Sequence, residues 1–382
     1  MPTAKEFAQP GWLDAEVSTP ALLIDRGVLE GNLDEMSALA HESGVELFPH
    51  AKTHRMTELG LLQITHGADG LCVAKLGEAE GFAAVGVARI FVAYPIVGAD
   101  KASRALALSE TIDLTLGTDS VEGAEVVGRV FAAAGHTARL LLAIDSGLGR
   151  EGVVAVEAPI IAERIAALDG VELVGIYTHE GTVYGALDRA DLEIRARQAG
   201  EAMVAIADLI RARGIPAPIV SLGSSASARA VASVPGVTQI RPGIYAVNDL
   251  GQIALGNARL DSTAIRVIAT VVSHPDAARA CIDAGSKSLS TDLLPATARR
   301  QEYPGLGLIV NAPGWIIERM SEEHGWLSWA GEGEPSPLPV GTRLEIVPNH
   351  ACMAFAMLRR ATVLAEGTVV AVWEGMGPGA SE

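Results

Sequence analysis

Cysteine is scarce: there are three in 382 residues, Cys72, Cys281 and Cys352. That excludes a disulfide framework and makes a reducing compartment the simpler home. Positive charge is also in short supply. Lysines and arginines number 29 against 46 acidic residues, for a net charge of −17. Nucleic acids and anionic membrane surfaces select basic proteins, so neither is expected as a partner. A small anion in a locally positive site is not excluded. Long hydrophobic runs are missing: the longest, such as 140–144, have the length of a strand, not of a membrane span. Residues 1–12 lack the apolar stretch of a secretion signal, so a soluble cytoplasmic protein is expected. No fixed-period repeat is present, which excludes a solenoid. Apolar material is plentiful, with 49% hydrophobic and 20% charged residues. This is enough for a sizeable core, and the length suits one large domain plus a smaller one.

Short apolar runs alternate with Ala-rich segments of helical spacing between about 46 and 243. The runs are 46–50, 70–74, 89–93, 112–116, 139–144, 173–178, 219–222 and 238–241. Eight strand–helix units imply a parallel sheet, and a closed (β/α)8 TIM barrel in preference to an open doubly wound sheet. Near-continuous apolar strands fit a sheet covered on both faces. Ser120 before one helix and Pro159 in the first turn of the next are helix start signals. Beyond about 255 the texture becomes mainly β, with strands expected at 262–273, 278–283, 306–311, 314–317, 343–348 and 368–373. Residues 331–339 read as an exposed loop and the glycine-rich end, 375–382, as loose. Residues 21–25 read as a further strand of the β domain. The expected division is a barrel at 26–255 and a C-terminal mainly β domain that also takes 1–25.

Barrel active sites lie at the C-terminal strand ends. Those ends here read Pro49-His50-Ala51-Lys52-Thr53-His54, Asp145 through Arg150 to Gly152, His179-Glu180-Gly181, Gly223-Ser224-Ser225 and Arg241-Pro242-Gly243-Ile244-Tyr245. Together they suit an anionic cofactor. Lys52 between two histidines is a candidate for Schiff-base chemistry, although most lysines after a strand are merely solvated. The Gly223 loop is either a plain turn or a phosphate cradle of backbone N–H groups and hydroxyls, which barrels place after strands seven and eight. Arg150 is either a surface cation or a donor to a pyridine nitrogen. His179 is either a packed core histidine or an acid–base group. Farther along, His350-Ala351-Cys352 follows an apolar strand. If the strand continued, the imidazole and thiol would share a face and suit Zn2+; otherwise Cys352 is a small buried hydrophobe.

Taken in order along nearly the whole chain, these motifs resemble the D-threonine aldolase/D-serine dehydratase family, a branch of the alanine racemase-like pyridoxal-phosphate enzymes. The resemblance also covers Thr19-Pro20-Ala21-Leu22-Leu23-Ile24-Asp25, Asp283-Ala284-Gly285-Ser286-Lys287, Ser321-Glu322-Glu323-His324-Gly325 and Pro348-Asn349-His350-Ala351-Cys352. It implies that Lys52 carries pyridoxal 5'-phosphate and, with His179, is catalytic. Gly223, Ser224, Gly243 and Ile244, with Ser225 and Tyr245, would bind the phosphate, and Arg150 would stand near the pyridine nitrogen. His50, His179, Tyr184 and Arg241 complete the cofactor-binding set. His350 and Cys352 would ligate a divalent metal, Zn2+ or alternatively Mn2+ or Mg2+. Family members are usually homodimers in which one subunit's β domain closes the other's site.

The H-x-C pair leans toward the dehydratases of the family, since its aldolases carry H-x-D. The residues after Cys352 depart from the dehydratase pattern, and Gln239 stands where relatives tend to have an acidic residue. The implied reaction is dehydration of a D-3-hydroxyamino acid, such as D-serine, D-threonine or D-threo-3-hydroxyaspartate, to an oxo acid and ammonia. The alternatives are retro-aldol cleavage to glycine and an aldehyde, a racemase, which has no need of the metal pair, and a non-catalytic cofactor carrier, a much shorter kind of protein.

Overall fold

The computed structural model describes residues 11–296 and 298–382; residues 1–10, part of the segment expected in the β domain, lie outside them. Eight strands form a barrel in chain order: Glu46–Leu47, Leu71–Val73, Arg89–Pro95, Asp113–Thr118, Ala138–Asp145, Val171–Tyr177, Ile219–Ser221 and Gln239–Ile240. Every neighbouring pair is parallel, and the eighth strand returns to the first, Gln239 opposite Glu46. A single parallel bridge, His50 to Cys72, joins the first strand's extension to the second and all but closes the ring. This is the (β/α)8 architecture expected from the alternation.

The strands are buried nearly without a break, as in Ala138–Asp145, because helices cover their outer faces and side chains fill the lumen. Phe48, Cys72, Phe91, Leu141, Ala143, Val174 and Tyr177 pack together as that filling. Helix start signals act as expected. The Ser120 hydroxyl accepts the Gly123 N–H at 3.2 Å to cap Val121–Ala133, and Pro159 lies in the first turn of Ala158–Ala166.

The second sheet is mainly antiparallel. Its order is Trp315–Met320, Gly325–Trp329, Arg279–Ile282, Ile265–Asp276, Ala21–Asp25, Arg360–Ala365 and Thr368–Glu374, with Arg343–Val347 paired to the long strand and to Leu308–Ile309. Ala21–Asp25 belongs to this sheet, antiparallel to Ile265–Asp276 and parallel to Arg360–Ala365. By contact the chain divides into two compact units. Of the described residues, one takes 11–33, Leu187–Arg189 and Ile244–Gly375; the other takes Asp34–Ala186, Ala190–Gly243 and Met376–Glu382. Among the described residues no helix is long and apolar enough to cross a membrane.

One expectation fails here. The glycine-rich end is docked in the barrel unit. The Met376 N–H donates to the Arg55 carbonyl at 2.7 Å, the Gly77 N–H donates to the Glu382 carbonyl at 3.1 Å, and Ala380 is buried. Glycine at 77 makes the close approach possible, since a Cβ there would lie 2.2 Å from the Gly379 carbonyl oxygen.

Candidate functional site

The first barrel strand ends in a rigid turn. The His50 N–H donates to the Pro242 carbonyl and the Cys72 N–H to the Pro49 carbonyl, both at 2.9 Å. Ala51–Thr53 then form one 3-10 turn in which Ala51 and Thr53 are buried and Lys52 is exposed. The backbone is therefore fixed while the Lys52 amine projects outward. His54 packs behind it. Its Nδ1 accepts the Met56 N–H at 3.0 Å, its Nε2 lies 3.4 Å from Gln63 Oε1, and its ring meets Phe82 edge-on. Burial outweighs these bonds and pushes its pKa down to about 4. Arg55 follows in a left-handed conformation, φ 53°, and donates to the buried Glu78 carboxylate at 2.8 Å. Burial raises the Glu78 pKa, opposed by the Ala74 N–H and Arg55.

Three further groups converge on Lys52. His50 is buried, and its Nδ1 has no hydrogen-bond partner among the described residues. Burial, then Lys52, Arg241 and His179, hold its pKa well below the usual imidazole range. His179 is likewise lowered, by burial first and by Lys52, Arg241 and Arg150, against the neighbouring Glu180. Both imidazoles are thus neutral at pH 7. Arg241 lies inside the barrel. It donates to the Thr178 carbonyl and, at 2.9 Å, to Ser221 Oγ, with Phe91 and Tyr177 rings 5.7 and 5.5 Å from its guanidinium carbon. Tyr184 lies beside His179, ring centroids 6.3 Å apart. Arg150 is exposed and pairs with Glu151. Its loop turns on the Asp145 carboxylate, which accepts the Gly147 and Gly149 N–H groups at 2.9 and 3.0 Å. Both glycines have positive φ, 102° and 69°.

The Gly223 loop differs from a simple phosphate cradle. Its Gly223 and Ser224 N–H groups donate at 3.1 and 2.7 Å to the buried Glu180 carboxylate, which also accepts the Ser227 hydroxyl. Burial would raise the Glu180 pKa, but His179, Ser227 and the N–H donors hold it below the usual carboxylate range. Ser225 alone of residues 221–228 is partly exposed, and its Oγ accepts the Gly243 N–H at 3.1 Å. A Cβ on Gly243 would meet Thr53 Oγ1 at 2.6 Å and the His50 carbonyl oxygen at 2.9 Å, so only glycine fits. Ile244 and Tyr245 begin the next 3-10 turn, with Tyr245 buried. The residues present fit a phosphorylated aldehyde cofactor: an exposed amine, an unpartnered imidazole nitrogen and a hydroxyl–N–H pair lie among clustered cations.

In the other unit the extended conformation expected through His350 and Cys352 stops at His350. His350 is extended, φ −140°, and is the N-cap of the helix Ala351–Leu358, with Cys352 in the first turn. The Asp249 carboxylate makes this turn: it accepts the Ala351 N–H at 2.9 Å and also caps Leu250–Ala254. The two side chains still meet. The Cys352 hydrogen bond, against burial and with help from Asp292, lifts His350 to about 10. His350 Nδ1 lies 2.6 Å from Asp292 Oδ2, which leaves Nε2 for the thiol or a cation. A carboxylate-braced imidazole beside a thiol is a donor set that fits a soft divalent metal. Among the described residues no group of three or more such side chains gathers into a metal cage. Glu180, Asp249 and Asp292 were not singled out from sequence. Glu180 adjoins a candidate and could have been; Asp292 stands in no motif.

Comparison with known proteins agrees with this fold. Residues 24–249 match the family described as "Alanine racemase, N-terminal domain", and 264–364 match "Putative serine dehydratase domain". The D-threo-3-hydroxyaspartate dehydratase of Delftia sp. is 32% identical over 94% of this chain and 97% of its own. Its solved structure matches with a TM-score of 0.87, covering 96% of this chain and 99% of that one. A cysteine-to-alanine mutant of a D-threo-3-hydroxyaspartate dehydratase, in its metal-free form, matches at 31% identity and a TM-score of 0.85 over 94% and 98% of the two chains. A D-threonine aldolase of Arthrobacter sp. is 30% identical over 96% of this chain and 94% of its own. With the barrel, the lysine turn and these matches in place, the chain belongs to the D-threonine aldolase/D-serine dehydratase branch of the alanine racemase-like family and is a pyridoxal-phosphate-dependent lyase.

Proposed function

We propose that this chain dehydrates D-3-hydroxyamino acids of the D-serine, D-threonine or D-threo-3-hydroxyaspartate type, giving an oxo acid and ammonia. The observation that carries the reading is the imidazole–thiol pair of His350 and Cys352, braced by Asp292. A thiol donor favours Zn2+ over the harder Mn2+ and Mg2+. Support also comes from the D-threo-3-hydroxyaspartate dehydratase relative whose cysteine-to-alanine mutant is in a metal-free form. A homodimeric, cytoplasmic enzyme is part of the same reading, supported by the family resemblance and the scarcity of cysteine.

Pyridoxal phosphate, when bound, supplies the electron sink that acidifies the substrate Cα–H. A divalent cation held by His350 and Cys352 supplies Lewis acidity toward the β-hydroxyl. The chain's own residues do the rest. Lys52 Nζ, exposed on a buried turn, takes the Cα proton. His179 is neutral, so its free ring nitrogen can accept or relay a proton. The Ser225 hydroxyl, oriented by the Gly243 N–H, holds the phosphate end. Arg150 and Arg241 supply the positive field that favours an anionic substrate and cofactor.

The test is a product assay of the purified, cofactor-loaded enzyme with D-threonine and Zn2+, and separately with Mn2+. Oxobutanoate with ammonia is expected, abolished by a chelator that leaves cofactor absorbance intact. Glycine with acetaldehyde, as the Arthrobacter relative's name implies for that enzyme, would overturn the reading.

A further inference from the structure

Glu180 is fully buried, and nothing in the proposed chemistry uses it. Its three bonds all reach one loop: two from the Gly223 and Ser224 N–H groups, one from the Ser227 hydroxyl. Ser227 is in turn the N-cap of Ala228–Ala232 and accepts the Ser224 N–H at 2.9 Å. The carboxylate therefore pins the inner side of the loop at both ends of the turn. Buried N–H groups must find acceptors, and here a side chain one residue from His179 provides them. Two consequences follow. The Gly223 and Ser224 N–H groups are already committed inward. Ser225 is left as the residue that faces out, opposite the Gly243 N–H.

We propose that Glu180 is a positioning residue: its carboxylate holds the Gly223–Ser227 loop from behind, so that the cofactor phosphate is received by the Ser225 hydroxyl, which the Gly243 N–H orients, and not by the Gly223 and Ser224 N–H groups. This rests on the pyridoxal-phosphate reading above. The alternative sign is physically distinct. A carboxylate standing against the phosphate would repel it, and its neutralisation would tighten binding.

The test compares Glu180→Gln with the wild type as full-length apo-proteins, titrated with pyridoxal phosphate and with unphosphorylated pyridoxal and followed by visible absorbance. An amide keeps the shape but aims its own N–H group at N–H donors, so at least one loop bond is lost. Affinity for pyridoxal phosphate is expected to fall about tenfold, as for the loss of one charge-assisted bond, with pyridoxal affinity unchanged. Ser227→Ala removes a single donor, is milder for folding, and should weaken phosphate binding in the same direction by about threefold. Tighter or unchanged pyridoxal phosphate binding in both variants overturns the proposal, as does an equal loss for pyridoxal. A wild type that binds neither compound removes the cofactor reading itself, and this inference with it.

Discussion

His54 stands two residues beyond Lys52, and the pattern His-x-Lys-x-His does not say which imidazole works. The structure separates them by surroundings. His50 and His179 share the field of Lys52 and Arg241, whereas His54 spends both ring nitrogens on Met56 and Gln63 within the core. Side-chain identity was legible in the sequence; burial was not, because it depends on Phe82 from the helix Leu76–Ala84. The consequence is thermodynamic. With a folded pKa of about 4 against 6.5 unfolded, the unfolded chain binds the extra proton between those values. Stability is therefore fully present above pH 6.5 and is lost as pH falls toward 4. The His54 share of the loss by pH 5 is about 2 kcal/mol. His54→Asn keeps an acceptor for the Met56 N–H and removes the titration. It should start less stable at pH 7, from lost packing, yet show a smaller fall in urea midpoint between pH 7 and pH 5. Parallel curves for variant and wild type would assign the acid sensitivity elsewhere.

Elements were legible where one sequence signal decided them. The eight barrel strands announce themselves because a strand buried on both faces is a plain apolar run. Gly325–Trp329 and Arg360–Ala365 were not foreseen, and each is placed by partners: the first by Trp315–Met320 and Arg279–Ile282, the second by Ala21–Asp25 and Thr368–Glu374. The helix after His350 was missed for a similar reason, since its start is set by Asp249, about a hundred residues earlier. The glycine-rich end misled in the opposite sense. Glycine there reads as looseness, but the requirement lies across the contact, at Gly77. Gly77→Val should force Met376–Glu382 off the helix Leu76–Ala84 at a cost of about 1–3 kcal/mol. Hydrogen exchange at the Met376 and Glu382 amides should then rise sharply while the barrel strands stay protected. Unchanged protection at Met376 would show that the segment is held by other contacts.

At the scale of the whole molecule, the candidate cofactor residues from His50 to Gly243 lie in one compact unit, and Ile244, Tyr245 and the His350–Cys352 pair with its Asp249 and Asp292 supports lie in the other. Alternation of strand and helix made the first unit readable end to end. The second was readable as β texture and as the His350-Ala351-Cys352 motif, but not in its supports, because the pair is organised by aspartates with no motif of their own. The division predicts two separable ligand effects. A ligand that binds only the folded form stabilises it by about 2.7 kcal/mol at a hundred times its Kd. That stabilisation should appear where the ligand is held. In hydrogen exchange of the intact chain, pyridoxal phosphate should protect residues 50–54, 179–181 and 223–227. Zn2+ should protect 350–358, and a chelator should reverse that protection without exposing the barrel segments. Cofactor protection confined to 350–358 would move its site out of the barrel. Loss of barrel protection on chelation would mean that the two ligand effects are not separable, which would overturn this prediction.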